Sequence, residues 1–104
     1  MATRQNDVVD REQLHALWDR VERDLREAVA LLESEHQLSS LQTVEEFLDH
    51  NELGLALEVL VDDLMERELT PSPAAFRHLE RAASAMELTG DDRWLDFAER
   101  ASDA

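Results

Sequence analysis

The stretch ELGLALEVLVDDLMERE, residues 52–68, decides the fold of this chain. On a helix of 3.6 residues per turn it forms one broad apolar stripe. The stripe consists of Leu53, Ala56, Leu57, Leu60, Val61 and Leu64. Leu55 and Val59 fall on the opposite side, among acidic residues. A helix that is apolar on two faces usually has neighbours on both, so this segment is predicted to be the central helix of a bundle. The alternative is that its second face is kept for a partner.

The segment before it contains a longer amphipathic helix. Residues 1–9 are polar and are predicted to be disordered or frayed. Residues 10–35 are predicted to be helical, because their apolar residues recur at i, i+3, i+4 and i+7. This stripe consists of Leu14, Leu17, Trp18, Val21, Leu25, Ala28, Val29 and Leu32. The first break is expected at residues 37–40.

A short helix over residues 41–50 should follow the break. Ser39 with Gln42, and Thr43 with Glu46, both fit a capping box at its start. Residues 50–51 are a plausible turn, since Asn tolerates the left-handed conformation. No Gly-Pro breaker separates this helix from the central one, so a single kinked helix over residues 41–68 remains an alternative.

The last third of the chain predicts two more helices. Ser72-Pro73 is a strong helix start, with Ser as N-cap and Pro in the first turn, and the helix should run over residues 73–88. Its core side is predicted to hold Phe76, Leu79, Ala82, Ala83 and Met86. Gly90 is expected to end it. A final helix over residues 91–100 should turn Trp94, Leu95 and Ala98 inward, with Phe97 at their flank.

These segments predict an all-α fold, a small single-domain helical bundle of four to five helices over residues 10–101. Only two Gly and two Pro occur in 104 residues, which favours long helices over many short strands. With 43% hydrophobic and 34% charged residues, the chain is globular rather than disordered. A chain of this length buries one modest core and has no room for a deep cleft between domains.

The composition favours a cytoplasmic protein. Cysteine is absent, which excludes disulfides and thiolate metal sites. The opening MATRQNDVVD lacks the apolar core of a signal peptide. No run of apolar residues is long enough to predict a membrane span.

The formal net charge is −15, and all ten cationic residues are arginines. Phosphate backbones and anionic lipids would repel such a chain, so we expect no binding to nucleic acid or membranes. A basic protein partner would complement the charge. Solubility, or adaptation to a salty cytoplasm, explains the charge equally well.

No signature of catalysis or cofactor binding is present, and we predict a protein that is not an enzyme. Two Glu-x-x-His pairs occur, Glu12 with His15 and Glu33 with His36. They are 21 residues apart on one predicted helix, roughly 30 Å at 1.5 Å per residue, so they cannot share a metal ion. His50 and His78 stand alone, without a nucleophile to activate. The sequence predicts no metal site and no cofactor.

Acidic residues are concentrated in the middle of the chain. Residues 45–68 contain nine acidic residues and one arginine, a net −8 out of −15. Apolar residues within an acidic surface are typical of a binding face, where they form the buried centre and the charges form the rim. The predicted face comprises Glu45, Glu46, Asp49, Glu52, Leu55, Glu58, Val59, Asp62, Asp63 and Glu66. The alternative is that Leu55 and Val59 pack beneath the short helix and the acids form a solvated rim.

The run FLDHNELGLALEVLVDDL, residues 47–64, resembles the central part of MafI-like immunity proteins of bacterial polymorphic-toxin systems. In that family a short helix ends in an Asp-His/Asn-x-Glu stretch and an x-x-x-Ala-x-Glu-x-Leu helix follows. The Ser72-Pro73 start, the Met86-Glu87-Leu88 helix end and the closing Trp94-Leu95 are also similar. The resemblance covers residues 43–97.

The resemblance implies an all-helical protein without catalytic residues, which binds a cognate toxin and blocks it. The expected function is therefore stoichiometric toxin neutralisation, with a basic nuclease as the most plausible toxin. The runner-up is a non-catalytic helical adaptor or a homodimeric structural protein, whose exposed apolar faces would pair two copies.

Overall fold

Residues 2–103 form five α-helices, and the expectation of an all-α helical bundle is confirmed. The computed structural model describes the backbone of residues 2–103 and the side chains of residues 11–102. The helices are α1 (Ala2–Glu35), α2 (Leu41–Asp49), α3 (Leu53–Glu66), α4 (Pro73–Ala85) and α5 (Asp92–Asp103). One hydrophobic cluster draws buried residues from all five. No helix among the described residues is long and apolar enough to cross a membrane.

Helix α3 is the centre of the bundle, as its sequence predicts. It packs against each of the other four helices, while α1 and α4 form the most extensive pair. All six residues of its predicted apolar stripe are buried. Leu60 and Leu64 are fully enclosed, together with Leu25 and Leu32 of α1 and Leu79 of α4. The core therefore lies where α3 meets the α1–α4 pair.

Helices α2 and α3 form an antiparallel hairpin rather than one kinked helix. Asn51 takes the left-handed conformation with φ of 59°. The N–H of Asn51 donates to the carbonyl of Leu48 at 3.1 Å, and that of Glu52 donates to Phe47 at 2.8 Å. This pair of bonds is the Schellman motif that commonly ends a helix. Asn51 separates the two helices because its side chain tolerates a positive φ.

Helices α3 and α4 end with the same motif, but the left-handed residue is Glu, which is less suited to a positive φ than Asn. Glu68 and Glu87 have φ of 54° and 59°. In each case the N–H of that residue and the N–H of the next residue make the same pair of bonds, back to α3 and α4 respectively. Gly90 was expected to end the fourth helix, but α4 stops at Ala85 and Glu87 takes the left-handed position. The prediction followed the usual preference for Gly, which this turn does not use.

Helix α1 extends beyond the rest of the bundle at its N-terminal end. It begins at Ala2, eight residues before the predicted start and within the segment expected to be frayed. The prediction relied on apolar periodicity alone, whereas no Pro or Gly occurs in residues 1–35 to stop a helix. Residues 11–16 are all exposed, and the predicted stripe is buried only from Val21 onward. Leu14 is 48% exposed, so the first part of the stripe has no covering helix.

Polar contacts fix how α1 lies against its neighbours. Asp24 meets the Nδ1 of His78 on α4 at 2.8 Å. Near the end of α1, the Glu35 carboxylate accepts from the N–H of Ser72 at 3.1 Å. The Ser72 hydroxyl in turn accepts from the N–H of Ala75 at 3.2 Å, which confirms Ser72 as the N-cap of α4. Helices α1 and α4 are therefore antiparallel.

An aromatic cluster holds α5 against the bundle. The rings of Trp94 and Phe97 lie 5.4 Å apart, and both contact Phe76 of α4 at 5.8 and 5.9 Å. Phe97 is buried, whereas Leu95 is 51% exposed. The expected inward face of α5 was therefore rotated: Phe97 belongs to the core and Leu95 to the surface. Leu95 and Phe97 are only two positions apart in a short helix, so spacing alone does not show which one faces inward. Aromatic packing against Phe76 turns Phe97 inward.

Candidate protein-binding surface

Asp63 lies inside the protein, not on the predicted binding face. It is 6% exposed. Its carboxylate accepts from the backbone N–H groups of Ser39 and Ser40, both at 3.1 Å, and from their hydroxyls at 3.0 and 2.7 Å. Arg67 places a cationic nitrogen 3.9 Å away. A side chain of α3 thus binds the N-terminal end of α2, where helical N–H groups lack partners. We therefore remove Asp63 from the candidate face.

The same contacts correct the predicted capping boxes. Ser40 is the N-cap of α2, and its hydroxyl donates to Asp63 instead of capping the helix itself. Ser39 does the same, and Thr43 lies within the first turn of α2 rather than before it. The boxes were predicted from local spacing, but the actual partner lies more than twenty residues further along the chain.

The Asp63 carboxyl is stabilised in its charged form. Burial alone would raise its pKa, but hydrogen bonds from Ser40 and Ser39 and the charge of Arg67 outweigh burial and lower the pKa below its ordinary value. Asp63 is therefore a structural anion of the α2–α3 hairpin.

Three further predicted residues pair with arginines of the same chain. Asp49 meets Arg26 of α1 at 3.2 Å. Arg93, at the start of α5, lies 3.0 Å from Asp62 and 3.5 Å from Glu58. These side chains are about half exposed, so each pair adds little stability. They remain accessible, although their charge is partly compensated.

The other four predicted acids are exposed and form no ion pair within the described part of the chain. Glu45 and Glu46 lie on α2, Glu52 at the turn before α3, and Glu66 at the end of α3. Glu66 is 11 positions after Leu55, or roughly 16 Å along the helix axis. Exposed acids therefore occur on both helices of the hairpin.

Leu55 and Val59 do not form one exposed pair. Leu55 is 45% exposed, whereas Val59 is half-buried and packs against the core. Both residues were expected to form the apolar centre of a binding face. This is corrected, because only Leu55 is exposed enough to do so. Val59 is partly covered because α5 approaches this side of α3, where Arg93 joins Glu58 and Asp62.

Leu55 lies at the edge of an open groove of about 750 Å³. The groove is formed by α1, the start of α3, the α4–α5 loop and the start of α5. Its apolar residues are Trp18, Leu53, Leu55, Leu57, Val61, Met86, Leu88 and Trp94. Charged side chains at the same groove are Glu52, Glu58, Asp91 and Arg93. The size is within the range of about 300–1,000 Å³ that is typical of ligand sites.

Most of the groove was not predicted as part of the candidate face. Of the ten predicted residues, it includes Glu52, Leu55 and Glu58. Trp18 and Trp94 were predicted as core anchors, and Trp94 is indeed buried, while Trp18 is only half-buried. The length of the first helix is the signal that indicates this. A helix that is longer than its neighbours leaves the bundle, and a tryptophan at that point is only partly covered.

The histidines occupy separate positions. His15 is exposed on the projecting part of α1. The rings of His36 and His50 contact the carbonyls of Thr70 and Glu46 at 2.8 and 2.7 Å. Within the described residues, no three histidine or acidic side chains are grouped as metal ligands would be.

Comparisons with models of protein families, with curated proteins and with solved structures found no match.

Proposed function

We propose that this chain is an immunity protein, which binds a cognate bacterial toxin in the cytoplasm and neutralises it by stoichiometric protein–protein binding. The observation that carries the proposal is the exposed Leu55, at the edge of an apolar groove and beside the carboxylates of Glu52 and Glu58. An apolar centre with a charged rim is the usual composition of a protein interface. The resemblance of residues 43–97 to MafI-like immunity proteins supports the same function.

The charge of the surface supports a basic toxin. Four acids of the α2–α3 hairpin are exposed: Glu45, Glu46, Glu52 and Glu66. Carboxylates at these positions attract a cationic surface over long range and raise the rate of association. A nuclease presents such a surface where it meets phosphate. Covering that surface would block the nuclease without any catalysis by this chain.

Co-expression tests the function. The proposal requires that the neighbouring upstream gene encodes a secreted protein with a C-terminal toxin module. Expressed alone, that module should stop growth, and co-expression of this chain should restore growth and yield a 1:1 complex. Growth arrest that persists when both proteins are present, or the lack of such a gene, contradicts the proposal.

A charge reversal tests the surface. Glu52→Lys should weaken toxin binding about tenfold and reduce its dependence on salt, because a rim charge contributes mainly to association. Glu99→Lys on α5 is the matched control, since it makes the same charge change at an exposed site outside the groove. Equal losses in both variants would indicate that only net charge matters.

The projecting end of α1 favours a second candidate, a non-catalytic helical adaptor or a homodimer. Leu14 is 48% exposed there, and residues 11–16 are all exposed. Sedimentation at micromolar concentration distinguishes the candidates: a dimer that dissociates in Leu14→Asp supports the second one, and a monomer in both proteins supports the first.

A further inference from the structure

Eight of the residues that line the groove beside Leu55 have large apolar side chains, which together are called its apolar floor. Trp18 from α1 and Met86 and Leu88 from the α4–α5 region face the first turns of α3 across it. Leu55 is 45% exposed, the second most exposed large apolar side chain on the folded body after Leu95. Exposed leucine beside a half-buried tryptophan is apolar surface that binding would remove from water.

The charges around the groove are mainly negative. Among the residues whose side chains the structure describes, Glu52, Glu58 and Asp91 line it, and Arg93 is the one cationic lining residue. Arg93 is already held by Glu58 at 3.5 Å and by Asp62 at 3.0 Å. An occupant therefore meets a net negative rim around an apolar floor.

We infer that the groove binds a cationic amphipathic helix of the partner, which inserts large apolar side chains between flanking Arg or Lys residues. This inference rests on the proposed function and names the chemistry of the toxin segment. A helix satisfies its own backbone hydrogen bonds, so it can lie on an apolar floor, whereas an extended segment would need donors and acceptors from the groove. The described chain has no strand edge that could pair with an extended segment.

A second copy of this chain fits the groove poorly. Each copy carries a net charge of −15. The part of α1 that precedes the first buried residue offers no cationic surplus, since residues 11–20 contain two arginines and two acidic residues. Like charges that meet at an interface are unfavourable, so the rim selects against self-association.

Tryptophan fluorescence can report binding directly. The chain has only two tryptophans, Trp18 and Trp94, and both line the groove. The probe is a Trp-free peptide of roughly 15 residues, long enough to become helical on binding, with leucines at helical spacing and lysines elsewhere. We expect 1:1 binding and a shift of emission to shorter wavelength as Trp18 loses contact with water.

Two leucines provide a matched pair of variants. Leu55→Asp should weaken peptide binding at least about tenfold, because it places a charge among the apolar side chains that line the groove. Leu95→Asp should change it less than about twofold, since Leu95 is as exposed as Leu55 but lies outside the groove. Both variants add one negative charge, which would strengthen non-specific attraction of the peptide. A selective loss in Leu55→Asp therefore reports the groove. Both side chains are exposed, and helix content by circular dichroism verifies folding.

Three results would overturn the inference. One is equal peptide binding by Leu55→Asp and the wild type. Another is equally tight binding of a peptide in which every lysine is glutamine, which would mean that the cationic residues play no part. The third is a wild-type dimer that is lost in Leu55→Asp, which would make a second copy the occupant.

The failure of this inference is distinguishable from failure of the proposed function. If co-expressed Leu55→Asp still protects cells as well as the wild type, the chain neutralises the toxin through another surface. If the wild type binds the peptide selectively but gives no protection, the groove is a docking site and the immunity function is wrong.

Discussion

Asp63 shows how one acidic residue can serve the fold instead of a partner. It lies in an acidic segment of the sequence, yet its carboxylate accepts four hydrogen bonds from two serines at the start of α2. No side-chain nitrogen or oxygen is buried without a partner in the described part of the chain. Removal of this carboxylate would leave several donors without an acceptor. A buried donor without an acceptor costs more free energy than the loss of the hydrogen bond alone.

Asp63→Asn should therefore lower the free energy of unfolding at pH 7 by about 2–4 kcal/mol. The amide keeps the size of the carboxylate but loses its charge and points N–H groups at other donors. Urea denaturation measures the change. Asp62→Asn, one position earlier and partly exposed beside Arg93, is the control and should cost less than about 1 kcal/mol.

The contribution of Asp63 should depend on pH in one direction. Its folded-state pKa is lower than the unfolded value, so the stabilisation is complete above the ordinary aspartate pKa of about 3.9. It is lost as the pH falls through the lowered folded value. The difference in unfolding free energy between Asp62→Asn and Asp63→Asn should therefore shrink below about pH 4. A difference that stays constant from pH 7 to pH 3 would show that charge is not involved.

Glu87 illustrates strain at a single residue. Its φ of 59° is unfavourable for a residue with a Cβ atom, and its N–H is needed for the turn after α4. Glu87→Gly should raise the free energy of unfolding by about 0.5–1 kcal/mol. Glu87→Ala removes the same charge but keeps the Cβ atom, and it should give no such gain. Thermal unfolding of the two variants checks the difference.

At the scale of elements, α5 depends on its aromatic side for attachment. Phe97→Ala should destabilise the protein by about 3–5 kcal/mol, because the ring is buried against Phe76 and Trp94. Leu95→Ala should cost less than about 1 kcal/mol, since Leu95 is largely exposed. Denaturant unfolding of both variants tests the rotation of α5. A larger loss in Leu95→Ala would support the face predicted from sequence.

The helices also show which features can be predicted from sequence. The stripe of α3 and the cap at Ser72 depend on local spacing, and both were predicted correctly. The sequence allowed either a turn at Asn51 or one kinked helix, and the structure has the turn. The bond between Asp63 and Ser39 joins residues that are 24 positions apart, and local rules assigned both residues elsewhere. The face of α5 likewise depends on Phe76, which lies on another helix.

At the scale of the whole molecule, the sequence predicts the types of residue in the candidate site better than it predicts their positions. Most acidic side chains of residues 45–68 are exposed, and Leu55 is exposed among them. The groove is different, because it brings together Trp18, Leu55, Met86 and Trp94 from four parts of the chain. This arrangement depends on how the helices pack together, so it cannot be predicted from the spacing of residues within one segment.

The net charge of −15 should also affect the stability of the free protein. Self-repulsion of excess charge destabilises the compact state, and salt screens it. The melting temperature should therefore rise by several degrees as NaCl increases from about 10 mM to about 500 mM, across which the Debye length falls from roughly 30 Å to below 10 Å. A melting temperature that falls with salt would indicate that favourable ion pairs dominate instead.

The proposed toxin-binding site is the apolar groove lined by Leu55. The most direct measurement is the affinity of purified toxin module for the wild type, Leu55→Asp and Leu95→Asp by isothermal titration calorimetry. We predict that Leu55→Asp weakens the complex at least about tenfold, while Leu95→Asp stays within about twofold of the wild type. Equal affinities of the two variants would contradict this proposal.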